Sequence, residues 1–307
     1  MIRTDLALEA KEMYHESAGS VTEIEGVKAR TEEKDGLTVT TVEILNEHGK
    51  QALGKEIGTY ITIEMPKFKE YGHAFFTVGS LELKERLLSL LQCEPTDDIL
   101  VVGLGNRSIT PDALGARVTD RLVITKHLKR LAPEAVKDLG SVSGITPGVM
   151  GITGMETAEI VKGIISRAHP KAVILIDSLA SRSMDRISTT IQLSNTGISP
   201  GSGIGNTRDA LDEHTLGVPV VSIGVPMVVD AATLAFDAVT RIESSPFAAN
   251  DETFSKIKHS LSQNIGNLIV TPKDIDKLVT QMVNIVSAGI NTALHGIPLD
   301  EIEQYIG

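Results

Sequence analysis

Two aspartates stand where this sequence can do chemistry. Asp112 follows an apolar run, I-L-V-V at 99–102, and a sharp G-L-G-N turn at 103–106. The run has the pattern of a strand buried on both faces. Thr110 and Pro111 read as the N-cap and first position of a helix. That spacing puts Asp112 in the first helical turn, among free backbone N–H groups and at the positive end of the dipole. Asp177 ends a second apolar run, A-V-I-L-I at 172–176. Two parallel strands that each deliver an aspartate to one sheet edge can hold a carboxylate pair, where open α/β sheets place their ligands. Acids sharing a site cannot both ionise freely, so one serves as base and the other as acid. Such a pair can activate water against a peptide carbonyl without metal or cysteine. Alternatively, both carboxylates can hold a divalent cation. For Asp112 taken alone, helix capping is the simpler reading; it is the matching surroundings of Asp177 that point to chemistry.

Other reactive side chains offer less. Cys93 closes an apolar helix with no histidine near it in sequence, as a structural cysteine does. The eight histidines show no H-x-x-x-H spacing, so no zinc site is signalled. His214 is the one that sits between two candidate site segments. Ser178, Ser181 and Ser183 lie beside Asp177 without a G-x-S-x-G elbow. Ser108 stands where a dinucleotide fingerprint has its third glycine, so NAD is not expected, nor any other cofactor. Two glycine-rich loops, 144–154 and 196–206, have the length and small residues of segments that carry function above a sheet edge. They offer Gly151, Gly154, Gly203 and Gly205 as substrate-side positions, with Asn106 in the first turn. Arg182 can orient a carboxylate or a substrate acid, or form a structural salt bridge.

The elements that must position these residues alternate between strand and helix. Residues 1–20 are polar with a weak helical pattern. Residues 21–80 read as a small, largely antiparallel β-region, with alternating runs at 37–45 and 59–64 and a third candidate strand holding Phe75 and Phe76. Residues 81–307 read as the main α/β core. In it a helix at 81–91 leads into the central strand, and Thr153 with Glu156 fits a capping box before a helix at 158–165. An alternating run follows at 187–193, a buried strand at 218–223, an apolar helix at 228–238, and helices from 254 to 306 broken near Pro272. The fold class is α/β: a mostly parallel sheet flanked by helices, with the small β-region packed on it as one compact unit.

Composition bounds the partners. The 307 residues are 41% apolar and 22% charged, with a net charge of −11. That charge disfavours a nucleic-acid surface, which needs Lys and Arg for phosphate contacts. A single cysteine forbids an internal disulfide and fits a reducing compartment. The start lacks an apolar signal core, and the uncharged stretches 139–155 and 215–229 are short and broken by Gly and Pro. A soluble, cytoplasmic protein without membrane contact is expected.

Eight segments carry a resemblance. They are R-T-D-L-A at 3–7, G-K-E-I-G-T-Y-I-T-I-E at 54–64, V-G-L-G-N at 102–106, T-P-D-A-L-G at 110–115, P-G-V-M-G-I-T-G-M-E-T at 147–157, I-D-S-L-A-S-R at 176–182, T-G-I-S-P-G-S-G-I-G-N at 196–206 and L-G-V-P-V-V-S-I-G-V-P-M-V-V-D at 216–230. Over nearly its whole length the chain resembles the germination protease family of spore-forming bacteria. The resemblance implies an atypical aspartic-type endopeptidase that degrades small acid-soluble spore proteins in the spore core. It further implies a homotetrameric zymogen whose short N-terminal propeptide is removed by self-cleavage. This chain begins almost at the R-T-D-L-A motif, so the propeptide is expected to be absent from it. The family core is similar to the hydrogenase-maturation endopeptidases, whose two acids align with Asp112 and Asp177. There a histidine joins the acids in binding nickel; no histidine here is placed in that role, and no metal is expected. The rival readings are a metal-assisted hydrolase using the same acids, a peptidyl-tRNA hydrolase (disfavoured by the acidic charge), and a non-enzymatic docking protein.

Overall fold

The structure is a computed structural model, and it describes residues 4–18, 23–199, 209–243, 251–264 and 268–304. The chain opens with α1 (Ala7–Ala18), the strands β1 (Val27–Lys34) and β2 (Leu37–Ile44), α2 (Glu47–Leu53) and β3 (Gly58–Glu64). A short α3 (Phe68–Tyr71) and the long α4 (Phe75–Leu91) lead to β4 (Asp98–Gly103). Next come α5 (Leu114–Thr119), α6 (Lys126–Leu131), β5 (Ser141–Ile145), α7 (Met150–Thr153), α8 (Thr157–Ala168), β6 (Ala172–Ser181) and β7 (Thr190–Ser194). The chain continues through α9 (Glu213–Leu216), β8 (Val220–Asp230), α10 (Ala231–Glu243), α11 (Asp251–Asn264), β9 (Ile269–Val270) and α12 (Ile275–His295).

Among the described residues, nine strands form one sheet in the order β1-β2-β3-β7-β8-β6-β4-β5, with β9 paired to the end of β8. The strands β8, β6, β4 and β5 run parallel, and the ladders from β1 through β7 to β8 are antiparallel. The expected α/β class is therefore present, but the sheet is mixed. The β-region does not sit on the sheet; it extends it, through the β3–β7 ladder that pairs Ile61 with Leu193 and Ile63 with Ile191.

Burial on both faces explains the continuous apolar runs. In β4, Ile99 and Val101 enter one core cluster, shared with α4, α5 and α12. Leu100 and Val102 enter the opposite one, shared with Ala158, Val161 and Ile165 of α8. A third cluster joins Ala7 and Ala10 of α1 to Val42, Ile44 and Tyr60 under the β-region.

Four local expectations are corrected. Phe75 and Phe76 are not in a strand but open α4, because the same chain direction lays Leu83 and Leu87 into the core at helical spacing. β6 does not stop at Asp177; it continues to Ser181 because β8 continues beside it. β8 in turn runs through Pro226 to Asp230 where a helix from 228 was expected. The register shift there sets Leu179 opposite Pro226 and Ala180 opposite Val228, leaving Met227 as the extra residue of a bulge, the usual accommodation of a strand proline. The capping box lies three residues further on: Glu156 is the N-cap of α8, and its N–H donates to the Glu159 carboxylate at 3.3 Å.

Candidate functional site

The G-L-G-N turn and Asp112 close on each other. Gly105 has φ +93, and a Cβ there would lie 2.1 Å from the Asp112 carbonyl oxygen and 2.9 Å from its Oδ1. Only glycine fits that approach. The Asn106 N–H donates to Asp112 Oδ2 at 2.8 Å. Thr110–Asp112 is a 3-10 turn with Ile109 as its N-cap, not a helix capped by Thr110, whose hydroxyl instead donates to Asp276 at 3.0 Å. The Asp112 carboxylate therefore holds the preceding turn. Behind it, Gly115 presses onto the sheet so closely that a Cβ would meet the Ile176 carbonyl at 2.4 Å. The end of β4 is tied to the same place, since the Leu104 N–H donates to the Ile176 carbonyl at 2.8 Å. Asp177 is the next residue.

Asp177 is 6% exposed, stands opposite Gly224 of β8, and takes a hydrogen bond on Oδ1 from the Ser178 N–H at 2.8 Å. Gly224 is in turn opposite Gln192 of β7. Asp112, Asp177, Gly224 and Gln192 all line one cleft of about 690 Å³ across the carboxyl ends of the parallel strands. The structure thus brings together the two aspartates that strand-end geometry selected.

Part of the wall comes from the N-terminal segment, for which the R-T-D-L-A motif was the one sequence signal. Thr4 and Asp5 line the cleft. Asp5 pairs with Ala180 through its own N–H (2.9 Å) and its carboxylate, which accepts from the Ala180 N–H (2.8 Å). Gln192 fixes the same segment by donating to the Asp5 carbonyl at 3.1 Å and accepting from the Ala7 N–H at 2.7 Å. Lys55 donates to the Thr4 carbonyl at 2.8 Å. It is the one cation among the described residues lining the cleft, against Asp5, Glu56, Asp112, Asp177 and Asp212. Burial pushes the Lys55 ammonium below the usual amine range, while Asp5 and Glu9 pull it back. The G-K-E-I motif was the one sequence signal for this residue.

The remaining predicted site residues fall in three groups. Asn106 acts on Asp112 through its backbone, and its side chain accepts from the Ser108 N–H at 3.0 Å. Gly148 and Val149 of the first glycine-rich loop line the cleft. Gly151 and Gly154 belong to the helical turn beyond, Gly154 as the left-handed C-cap of α7. Arg182 lies outside the cleft lining and pairs with Glu16 at 2.6 Å and Asp237 at 3.7 Å. Gly203 and Gly205 lie outside the described residues. Among those residues no group of three or more metal-ligating side chains gathers, and no helix is long and apolar enough to cross a membrane.

Comparison with known proteins is consistent across the chain. The family model described as germination protease matches residues 7–244 and 247–305. A germination protease of Caldanaerobacter subterraneus is 46% identical over 330 aligned positions, covering 99% of this chain and 98% of that protein. One from Clostridium tetani is 44% identical, covering 99% of each. Among solved structures, a [NiFe] hydrogenase maturation protease from Thermococcus kodakarensis aligns with a TM-score of 0.31 and 18% identity, over 46% of this chain and 80% of that one.

Proposed function

The chain belongs to the germination protease family, and from that membership we propose an endopeptidase that begins the degradation of small acid-soluble spore proteins in the spore core, with Asp112 and Asp177 as its water-activating pair. The observation that carries this reading is that both aspartates line one cleft at the sheet's carboxyl edge. The ionised carboxylate takes a proton from water as the water oxygen attacks the peptide carbonyl. The other, protonated, hydrogen-bonds the carbonyl oxygen and then gives its proton to the leaving amine as the C–N bond breaks. The bonds from Asn106 and Ser178 keep each carboxylate turned in a fixed direction, which general acid–base transfer requires.

The test is cleavage of a purified small acid-soluble spore protein by wild type, Asp112→Asn and Asp177→Asn, each with and without EDTA. Either substitution is expected to lower the rate by about 10²–10⁴-fold, with wild type indifferent to EDTA. An Asp112→Asn protein as fast as wild type would sink the assignment. Loss of wild-type cleavage in EDTA would move the same carboxylates to a metal-assisted reaction.

A further inference from the structure

We propose that the pocket between α4 and α12 is a second docking point for the protein substrate, outside the cleft, taking an apolar side chain and the peptide groups beside it. The inference deepens the proposed function and rests on it for the nature of the substrate, a polypeptide chain. The pocket has a volume of about 220 Å³ and lies where the start of α4, the middle of α12 and the C-terminal segment meet. Phe76, Ile285, Leu299 and Ile302 give it an apolar lining, and Gln281 and Asn284 bring two carboxamides. None of these six residues lines the cleft that holds Asp112 and Asp177.

Packing explains why the space exists. Gln281, Asn284 and Ala288 fall at i, i+3 and i+7 of α12, on one stripe, and the alanine leaves room that a longer side chain would fill. Ala288 belongs to a small satellite core with Val123, Ile297 and Ile302, against which Phe76 and Leu299 pack. The gap therefore has an apolar floor. Gln281 and Asn284 are half-buried, and their side-chain amides make no hydrogen bond among the described residues. Each carboxamide offers donors and an acceptor, the same complement as a peptide group. A purely apolar occupant would strip them of water without replacement, which costs free energy. A fitting occupant sets peptide groups against the two carboxamides and an apolar side chain beneath them.

Position ties this pocket to the cleft. The Thr110 hydroxyl donates to Asp276 at 3.0 Å, so the first turn of α12 abuts the 3-10 turn that carries Asp112. From Asp276 the helix rises about 1.5 Å per residue, which puts Gln281 and Asn284 roughly 7–12 Å further along it. Asp276, Lys277 and Thr280 are exposed, so the way between the two sites runs over the surface. An extended chain advances about 3.3 Å per residue, so a substrate lying in the cleft reaches the pocket with a side chain about four to six residues from the bond that is cut. A polypeptide spans both sites at once, and a small ligand does not.

The test uses two synthetic peptides built around one cleavage site of a small acid-soluble spore protein. One is a hexamer confined to the cleft; the other extends it at both ends, with leucine about five positions from the cut on each side. Wild type is expected to cleave the extended peptide with a KM roughly tenfold below that of the hexamer, as one apolar side chain and two hydrogen bonds allow. Gln281→Ala with Asn284→Ala should remove that advantage and leave kcat/KM for the hexamer unchanged. Binding of the labelled extended peptide to the Asp112→Asn protein gives an arm that needs no turnover, and adding the two alanines should weaken it by about tenfold. Equal KM values for the two peptides, an equal loss on both in the double variant, or unchanged binding would overturn the proposal. Binding that weakens as expected while wild type cuts neither peptide would uphold the docking point and sink the proposed activity instead.

Discussion

The two aspartates are fixed by backbone N–H groups on opposite sides of one junction, where the Leu104–Ile176 hydrogen bond ties β4 to β6. A buried histidine elsewhere makes a sharper prediction. His295 is 6% exposed, its Nε2 lies 2.8 Å from the Val123 carbonyl, and its Nδ1 is buried with no hydrogen-bond partner. A carbonyl only accepts, so Nε2 carries the proton and a second proton must go to Nδ1, in an apolar setting. Burial accordingly holds the imidazole below its ordinary value of 6.5, with Lys129 pushing the same way and the Val123 bond opposing. Between the depressed folded value and 6.5 the unfolded chain binds the extra proton, so stability is full above that range and falls as pH drops through it. The loss is about 1.4 kcal/mol for each pH unit of depression. Urea midpoints near neutrality and in mild acid should therefore separate more for wild type than for His295→Gln. Equal separation would show that His295 does not titrate below its unfolded value.

At the scale of elements, α1 is held less by its own pattern than by one buried acid. Glu9, 1% exposed, accepts from the Arg182 N–H at 2.7 Å, the Ser183 N–H at 3.0 Å and the Thr4 hydroxyl, with Arg186 at 3.4 Å. Glu9→Ala leaves those donors without their acceptor, at roughly 1–3 kcal/mol for each that stays buried. Hydrogen exchange should then show α1 opening well before the sheet, with slower substrate cleavage, since Thr4 and Asp5 wall the cleft; unchanged α1 protection would refute this. No local signal announces such a role, which marks the limit of legibility. β4, its turn and Asp112 are readable because a doubly buried strand and a glycine turn are both local patterns. The ends of β6 and β8 are not, because Asp177 and Pro226 look like stops and only the neighbouring strand carries the chain past them. Phe75 and Phe76 mislead because aromatic residues favour strands, while the packing of α4 is decided by residues further along it. Thr4, Lys55 and Gln192 meet only in the folded chain.

For the whole molecule, the question is whether the β-region at 21–80 unfolds by itself. Its strands share a ladder with β7, and its Leu37, Val39, Ile61 and Ile63 belong to the same core cluster as Val101, Ile174, Ile223 and the buried face of α12. Peeling it away would expose these side chains and their partners together, at about 1.5–3 kcal/mol for each side chain. The loop entropy released by freeing one end of the chain is too small to offset that, because closure terms grow only as the logarithm of length. The amides of β2 and β3 should therefore lose protection at the same urea concentration as those of β4 and β6, in one cooperative step. β1 is the exception that makes the measurement informative. With its side chains in water it contributes little to the core, so its amides should exchange early. Early loss of β2 and β3 in wild type would instead mean that the sheet joins two units that fold separately.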